Sequence, residues 1–138
     1  MSVQARYPNL NYENISDSYL AVIQEPYTKT GKSNTGPRQS FLYDADIPEL
    51  ANPAGAFVRI WPGGESGAWR WHHNRHQIAS IDTKAKKVKL ATQTIYTLGT
   101  GSAYHIENDI GLLDAPGEFY VDKTEGYIYY YPRDIEML

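Results

Sequence analysis

A mainly β fold is predicted for this chain: a small barrel- or sandwich-like domain of antiparallel hairpins with one or two short helices. Three observations carry that expectation. First, residues 112–132, LLDAPGEFYVDKTEGYIYYYP, read as a β-hairpin. Phe119, Tyr120 and Val121 form one arm, residues 122–126 the turn and residues 127–131 the return arm. These residue types suit a pleated, half-buried surface, and Gly126 supplies the positive φ of a tight return. Second, residues 77–82 and 87–90 flank the polar segment 82–86, with Ile78, Val88 and Leu90 at apolar positions, which is a second hairpin signal. Third, the chain holds 12 Tyr and 3 Trp against 3 Phe, rings that pack a small core and still face water. Such a surplus suits β-rich domains and carbohydrate-binding surfaces alike.

The remaining elements follow in order. Residues 4–7 form a strand stopped by Pro8 and Asn9, and residues 19–24 (YLAVIQ) form another. Residues 25–40, rich in Gly, Pro, Ser, Thr and Lys, read as a flexible loop. Residues 47–52 fit a helical turn, with Asp46 as N-cap and Pro48 near the first position. Residues 57–61 form a strand ended by Pro62-Gly63-Gly64, and residues 68–73 another. Residues 95–97 continue the second hairpin until Gly99 and Gly101 break it, and residues 107–113 make one or two helical turns. No internal repeat is visible, and the whole is read as one domain spanning residues 1–138.

Bulk properties exclude several classes of function. A net charge of −3 masses nothing basic against phosphates, so nucleic acid is not an expected partner. No apolar run reaches the ~18 residues of a membrane span, and the first residues lack a charged-then-apolar export pattern. Cysteine is absent, which removes disulfides, thiolate metal sites and thiol nucleophiles together.

Five constellations offer chemistry. Residues 26–33 imitate a phosphate-binding loop, but Pro26 stands where a glycine is needed and residues 34–40 cannot start the helix that would hold the phosphate. His72 and His76 would share a helix face and chelate zinc; on a strand they lie about 13 Å apart, too far for one ion. A tight turn at Asn74 would bring them back together, but a solvated turn is the plainer reading, and no metal and no cofactor are expected. Trp69 and Trp71 on a strand share a face about 6.5 Å apart, a platform for a sugar ring with Arg, His and Asn donors beside it; alternatively both rings fill the core. In the return arm, Tyr127, Tyr129 and Tyr131 share one face and Ile128 and Tyr130 the other. Among the acids, Asp44 and Asp46 alternate and Glu107, Asp109 and Asp114 cluster. Glycoside hydrolysis needs two facing carboxylates, a pairing the sequence does not reveal. Capping and turn formation are the roles these positions favour.

The 116–132 segment resembles the "PGEWYLD-x-x-T-G-x-L-Y-Y-x-P" stretch of inserted β-domains in right-handed parallel β-helix carbohydrate-active proteins, with Phe119 in place of the usual Trp. Further pieces are similar to the same pattern: Ala5-Arg6-Tyr7-Pro8-Asn9, Phe41-Leu42-Tyr43-Asp44, Ala68-Trp69-Arg70-Trp71 with residues 77–83, and Tyr104-His105-Ile106-Glu107-Asn108 followed by residues 112–114. The likeness implies a parent glycoside hydrolase or polysaccharide lyase, bacterial, and extracellular or periplasmic through that parent. The β-helix coils are not in this segment, and the catalytic residues are not placed by it. The expected function is thus an accessory carbohydrate-recognition or groove-lining domain. Its expected binding residues are Trp69, Arg70, Trp71, His72, His76 and Tyr104, and its partners a polysaccharide and the parent β-helix. A purely structural domain and a small stand-alone glycoside hydrolase are the alternatives.

Overall fold

Alternating apolar and polar residues build most of this structure, a computed structural model that describes residues 2–23, 37–64, 69 and 71–134. Its strands are β1 (Val3–Gln4), β2 (Arg6–Tyr7), β3 (Leu20–Ala21), β4 (Ser40–Leu42), β5 (Phe57–Trp61), β6 (Asn74–Asp82), β7 (Lys87–Leu90), β8 (Ala103–Glu107), β9 (Glu118–Asp122) and β10 (Tyr127–Tyr130). The chain is mainly β, as expected.

The larger sheet runs β2-β8-β5-β6-β7-β4, all antiparallel, with β3 beside β8 on the same edge as β2. It curls until the chain just after β3 meets β4 at one hydrogen bond, Ile23 N to Leu42 O at 3.2 Å. Among the described residues no continuous ladder closes it into a barrel. Val58, Ile60, Ile78, Val88, Leu90, Tyr104 and Ile106 line the concave face and are buried. Phe41 on β4 reaches Tyr104 on β8 across that interior, ring centroids 4.8 Å apart.

A bulge in β6 rephases its two faces. Ile78 pairs with Leu90 but Ser80 with Lys89, so Ala79 is the extra residue. Asn74, His76 and Ile78 point inward before it, and Ile81, paired with Val88, points inward after it.

A smaller sheet holds β1 parallel to β9 and β9 antiparallel to β10. Ala5 joins the two sheets: its N–H donates to Phe119 O at 2.8 Å, and its carbonyl accepts from Asn108 N at 3.1 Å. Both hairpin turns use one device. Asp82 Oδ1 accepts from the N–H groups of Lys84 and Ala85, and Asp122 Oδ1 from those of Thr124 and Glu125, all at 2.9–3.0 Å. The last turn residues, Lys86 and Gly126, take φ of 49° and 77°.

Several local expectations are corrected. Residues 47–52 form no helix; the single 3₁₀ turn there is Pro53–Gly55. Within 107–113 one helical turn forms, the 3₁₀ turn Ile110–Leu112 capped by Asp109, while Glu107 ends β8 instead of opening a helix. Trp69 and Trp71 sit in turns, with His72 N bonded to Trp69 O at 3.0 Å, so they are not on a strand. Residues 95–97 are not strand. The phosphate-loop imitation at 26–33 and most of the 25–40 loop lie outside the described residues.

Candidate functional site

Two neighbouring clusters are built around the turn between β5 and β6. The first begins where β5 ends in Pro62-Gly63-Gly64. Gly63 N donates to Thr97 O at 3.2 Å and Gly64 N to Ser102 Oγ at 2.9 Å. Gly64 has φ +58°, and a Cβ there would stand 2.6 Å from Thr100 O. Only glycine allows this approach, which holds the 91–102 loop against the turn.

That loop presents Tyr96, whose carbonyl accepts from Thr94 Oγ1 at 2.6 Å. Trp69 stacks flat on Tyr96, centroids 4.8 Å apart and planes 13° from parallel. Trp71 and His72 meet the same ring edge-on at 5.9 and 5.3 Å. Trp71 keeps 72% of its surface exposed, so the plate this cluster offers to solvent is the Trp71 indole, set edge-on to the stacked Trp69–Tyr96 pair. His76 lies further along β6, its Nδ1 2.8 Å from Thr92 Oγ1, and burial lowers its pKa. Nε2 of His72 and of His76 has no hydrogen-bond partner. The two histidines have separate neighbours, and the described residues contain no group of three metal-ligating side chains.

Arg70 lies outside the described residues. Tyr104 does not join the plate. Its register with Ile60 and Leu20 turns it into the core, where it is 0% exposed and burial pushes its phenol well above the usual range. The sequence reading also passed over Tyr96, because nothing in QTIYTLG separates a ring on a loop from one on a strand.

The second cluster covers the convex face of β5, β6 and β8. Glu107, 6% exposed, is its centre. Arg75 Nε lies 2.5 Å from Glu107 Oε1, Arg59 Nη2 3.3 Å from the same oxygen, and His105 Nε2 2.9 Å from Oε2. Burial alone would raise the Glu107 pKa; hydrogen bonds from His105 and Arg75 and the charge of Arg59 outweigh it and hold the carboxyl at about 2. Burial likewise lowers His105, against the pull of Glu107. Glu107 is thus a fixed anion, not a proton donor at neutral pH. Arg59 Nη1 also meets His73 Nε2 at 3.2 Å, and His73 stacks on Trp61 at 5.4 Å. Tyr19 stands edge-on to Trp61 at 5.3 Å. Between them opens a cleft of about 350 Å³ lined by Ser16, Tyr19, Trp61, Gly101 and Ala103.

Of the other acids, Asp109 has the capping role expected, whereas Asp46 caps no helix and Asp114 meets a side-chain amide. Asp109 Oδ1 accepts from the N–H groups of Ala51 and Gly111 and Oδ2 from that of Asn52, each at 2.8 Å. Asp114 accepts from Asn9 Nδ2 at 2.9 Å, and Asp46 meets Lys86 at 3.4 Å.

Residues 91–133 match the family model of the GH141 insertion domain. No curated protein and no solved structure matches the chain. The match supports a glycoside hydrolase insertion domain, as the sequence resemblance led one to expect. The matched segment takes in Tyr96, β8 with His105 and Glu107, and the β9–β10 hairpin. Trp61, Trp69 and Trp71 lie outside it, so each cluster combines GH141-like residues with others. No helix among the described residues is long and apolar enough to cross a membrane.

Proposed function

We propose that this chain is an accessory carbohydrate-recognition domain of a secreted polysaccharide-active enzyme, a glycoside hydrolase in the first instance. The observation that carries the reading is the Trp69–Tyr96–Trp71 plate with its exposed indole. An aromatic face stacks on the C–H face of a sugar ring, while His72, beside Trp71 and Tyr96, supplies hydrogen bonds to hydroxyls. A shallow, wet surface of this kind gives millimolar to micromolar affinity, on the order of −4 to −8 kcal/mol, because little is gained over its own desolvation. The GH141 match over residues 91–133 supports a hydrolase parent. No reaction is assigned to this segment.

The parent contact falls to the tyrosine hairpin. Every residue of β10 is exposed, Ile128 most of all at 73%, and β10 is the edge of its sheet. An apolar edge strand of this kind calls for a covering partner, and in this reading the parent β-helix covers it.

Calorimetric titration against plant and algal polysaccharides tests the proposal. Heat of binding that Trp71→Ala abolishes is expected. Absence of any glycan response, or one indifferent to that substitution, defeats it.

A further inference from the structure

We propose that the convex face of β5, β6 and β8 is a second saccharide subsite, one selective for an acidic sugar. This rests on the carbohydrate reading above but on different residues. Two observations carry it. The first is charge. Arg59 and Arg75 converge with His105 on the single carboxylate of Glu107. Two guanidiniums face one anion, in a chain whose net charge is −3. The side chains of Arg59 and Arg75 remain 32% and 35% exposed. A guanidinium carries five N–H donors in a rigid fork suited to carboxylate and sulfate oxygens. The contacts to Glu107 and His73 occupy only part of that fork on Arg59.

The second is shape. The cleft between Tyr19 and Trp61 measures about 350 Å³, within the span of ligand pockets, ~300–1,000 Å³. His73 bridges it to the charged patch, stacked on Trp61 and touching Arg59. A sugar ring against the Trp61–Tyr19 wall would therefore direct an anionic substituent toward Arg59. Asp17, next in sequence to the cleft residue Ser16, is engaged by the side-chain amides of Asn11 and Asn14. His72 belongs to the aromatic plate and His73 is stacked on Trp61 of this cleft.

The test is calorimetry on the full chain with three oligosaccharides of equal length: a polyuronate, its carboxyl-reduced neutral counterpart and a sulfated neutral sugar. The uronate should bind at least about tenfold more tightly than the reduced form, the size of one charge-assisted hydrogen bond, and the advantage should shrink with added salt. Arg59→Gln should erase that preference and Arg59→Lys should retain part of it. Trp71→Ala should weaken both sugars and leave the ratio standing. Equal affinity for the charged and reduced sugars overturns the subsite while leaving the plate intact; a ratio untouched in Arg59→Gln overturns it as well. Should Arg59→Gln fail to fold, the comparison on the unaltered chain decides. The sulfated sugar separates the two anion types: parity with the uronate assigns the site to anions generally, and weaker binding assigns it to carboxylates.

Discussion

His105 Nε2 lies 2.9 Å from Glu107 Oε2, two residues along the same convex face of β8. The pair couples stability to pH. Glu107 has a folded-state pKa of about 2 against an ordinary 4.5, so it stabilises the fold above pH 4.5 and loses that contribution as pH falls toward 2. His105 is depressed from 6.5, so its neutral form adds stability that fades as pH drops below 6.5. Glu118, raised above 4.5 by burial, acts in the opposite sense and softens the acid limb. Thermal unfolding followed from pH 7.5 to 2.5 should show a falling midpoint through both windows. Glu107→Gln should cost roughly 3 kcal/mol at neutral pH and flatten the lower window; an unchanged acid slope in that variant contradicts this account.

Trp71→Ala should leave stability within about 0.5 kcal/mol, since an indole 72% exposed buries little. Its effect belongs to ligand binding. A drop in unfolding midpoint comparable to that of a core truncation would show instead that the plate is a structural element.

Asp109 is 2% exposed and satisfies three backbone N–H groups of two loops. Asp109→Ala strands all three, at about 2–4 kcal/mol. Asp109→Asn, which keeps one acceptor, should fall between. Urea denaturation of the two variants gives the order, and an alanine variant as stable as the parent chain refutes it.

Tyr104→Phe should be neutral or stabilising, because the buried Tyr104 hydroxyl has no hydrogen-bond partner and removing it relieves a desolvation penalty of up to ~1–3 kcal/mol. The same variant should leave glycan binding unchanged. A loss of binding would return Tyr104 to the site.

Gly64→Ala should destabilise by about 2 kcal/mol or more, combining positive φ with a 2.6 Å approach to Thr100 O. Gly126→Ala carries the φ strain alone, with nothing within 4 Å, and should cost about 1 kcal/mol. Equal costs would mean that the Gly64 approach is relieved by loop movement.

Both hairpins were legible in the sequence because their information is local. An Asp accepts two turn N–H groups, a residue of positive φ closes the loop, and period-2 patterning flanks it. The β5 boundaries were legible for the same reason, with Pro62 and the glycines ending an alternating run. By contrast β8 was not read as a strand from its pattern. AYHIE carries polar residues that its neighbours, over 40 positions away, render buried. The helical turn expected at 47–52 did not form because Ala51 and Asn52 instead donate to Asp109 across the sheet, while within 107–113 the helix shrank to the single 3₁₀ turn that Asp109 caps.

What the sequence alone determined is the class of molecule: a mainly β domain, rich in amphipathic rings, whose hairpin at residues 112–132 resembles that of inserted domains in carbohydrate-active proteins. Tertiary structure alone decided which rings face water. Tyr104 and Trp71 are both aromatic residues in polar surroundings, yet one is sealed and the other open. Strand register and the 91–102 loop set that difference, and both depend on contacts between residues far apart in the chain, which no local pattern encodes.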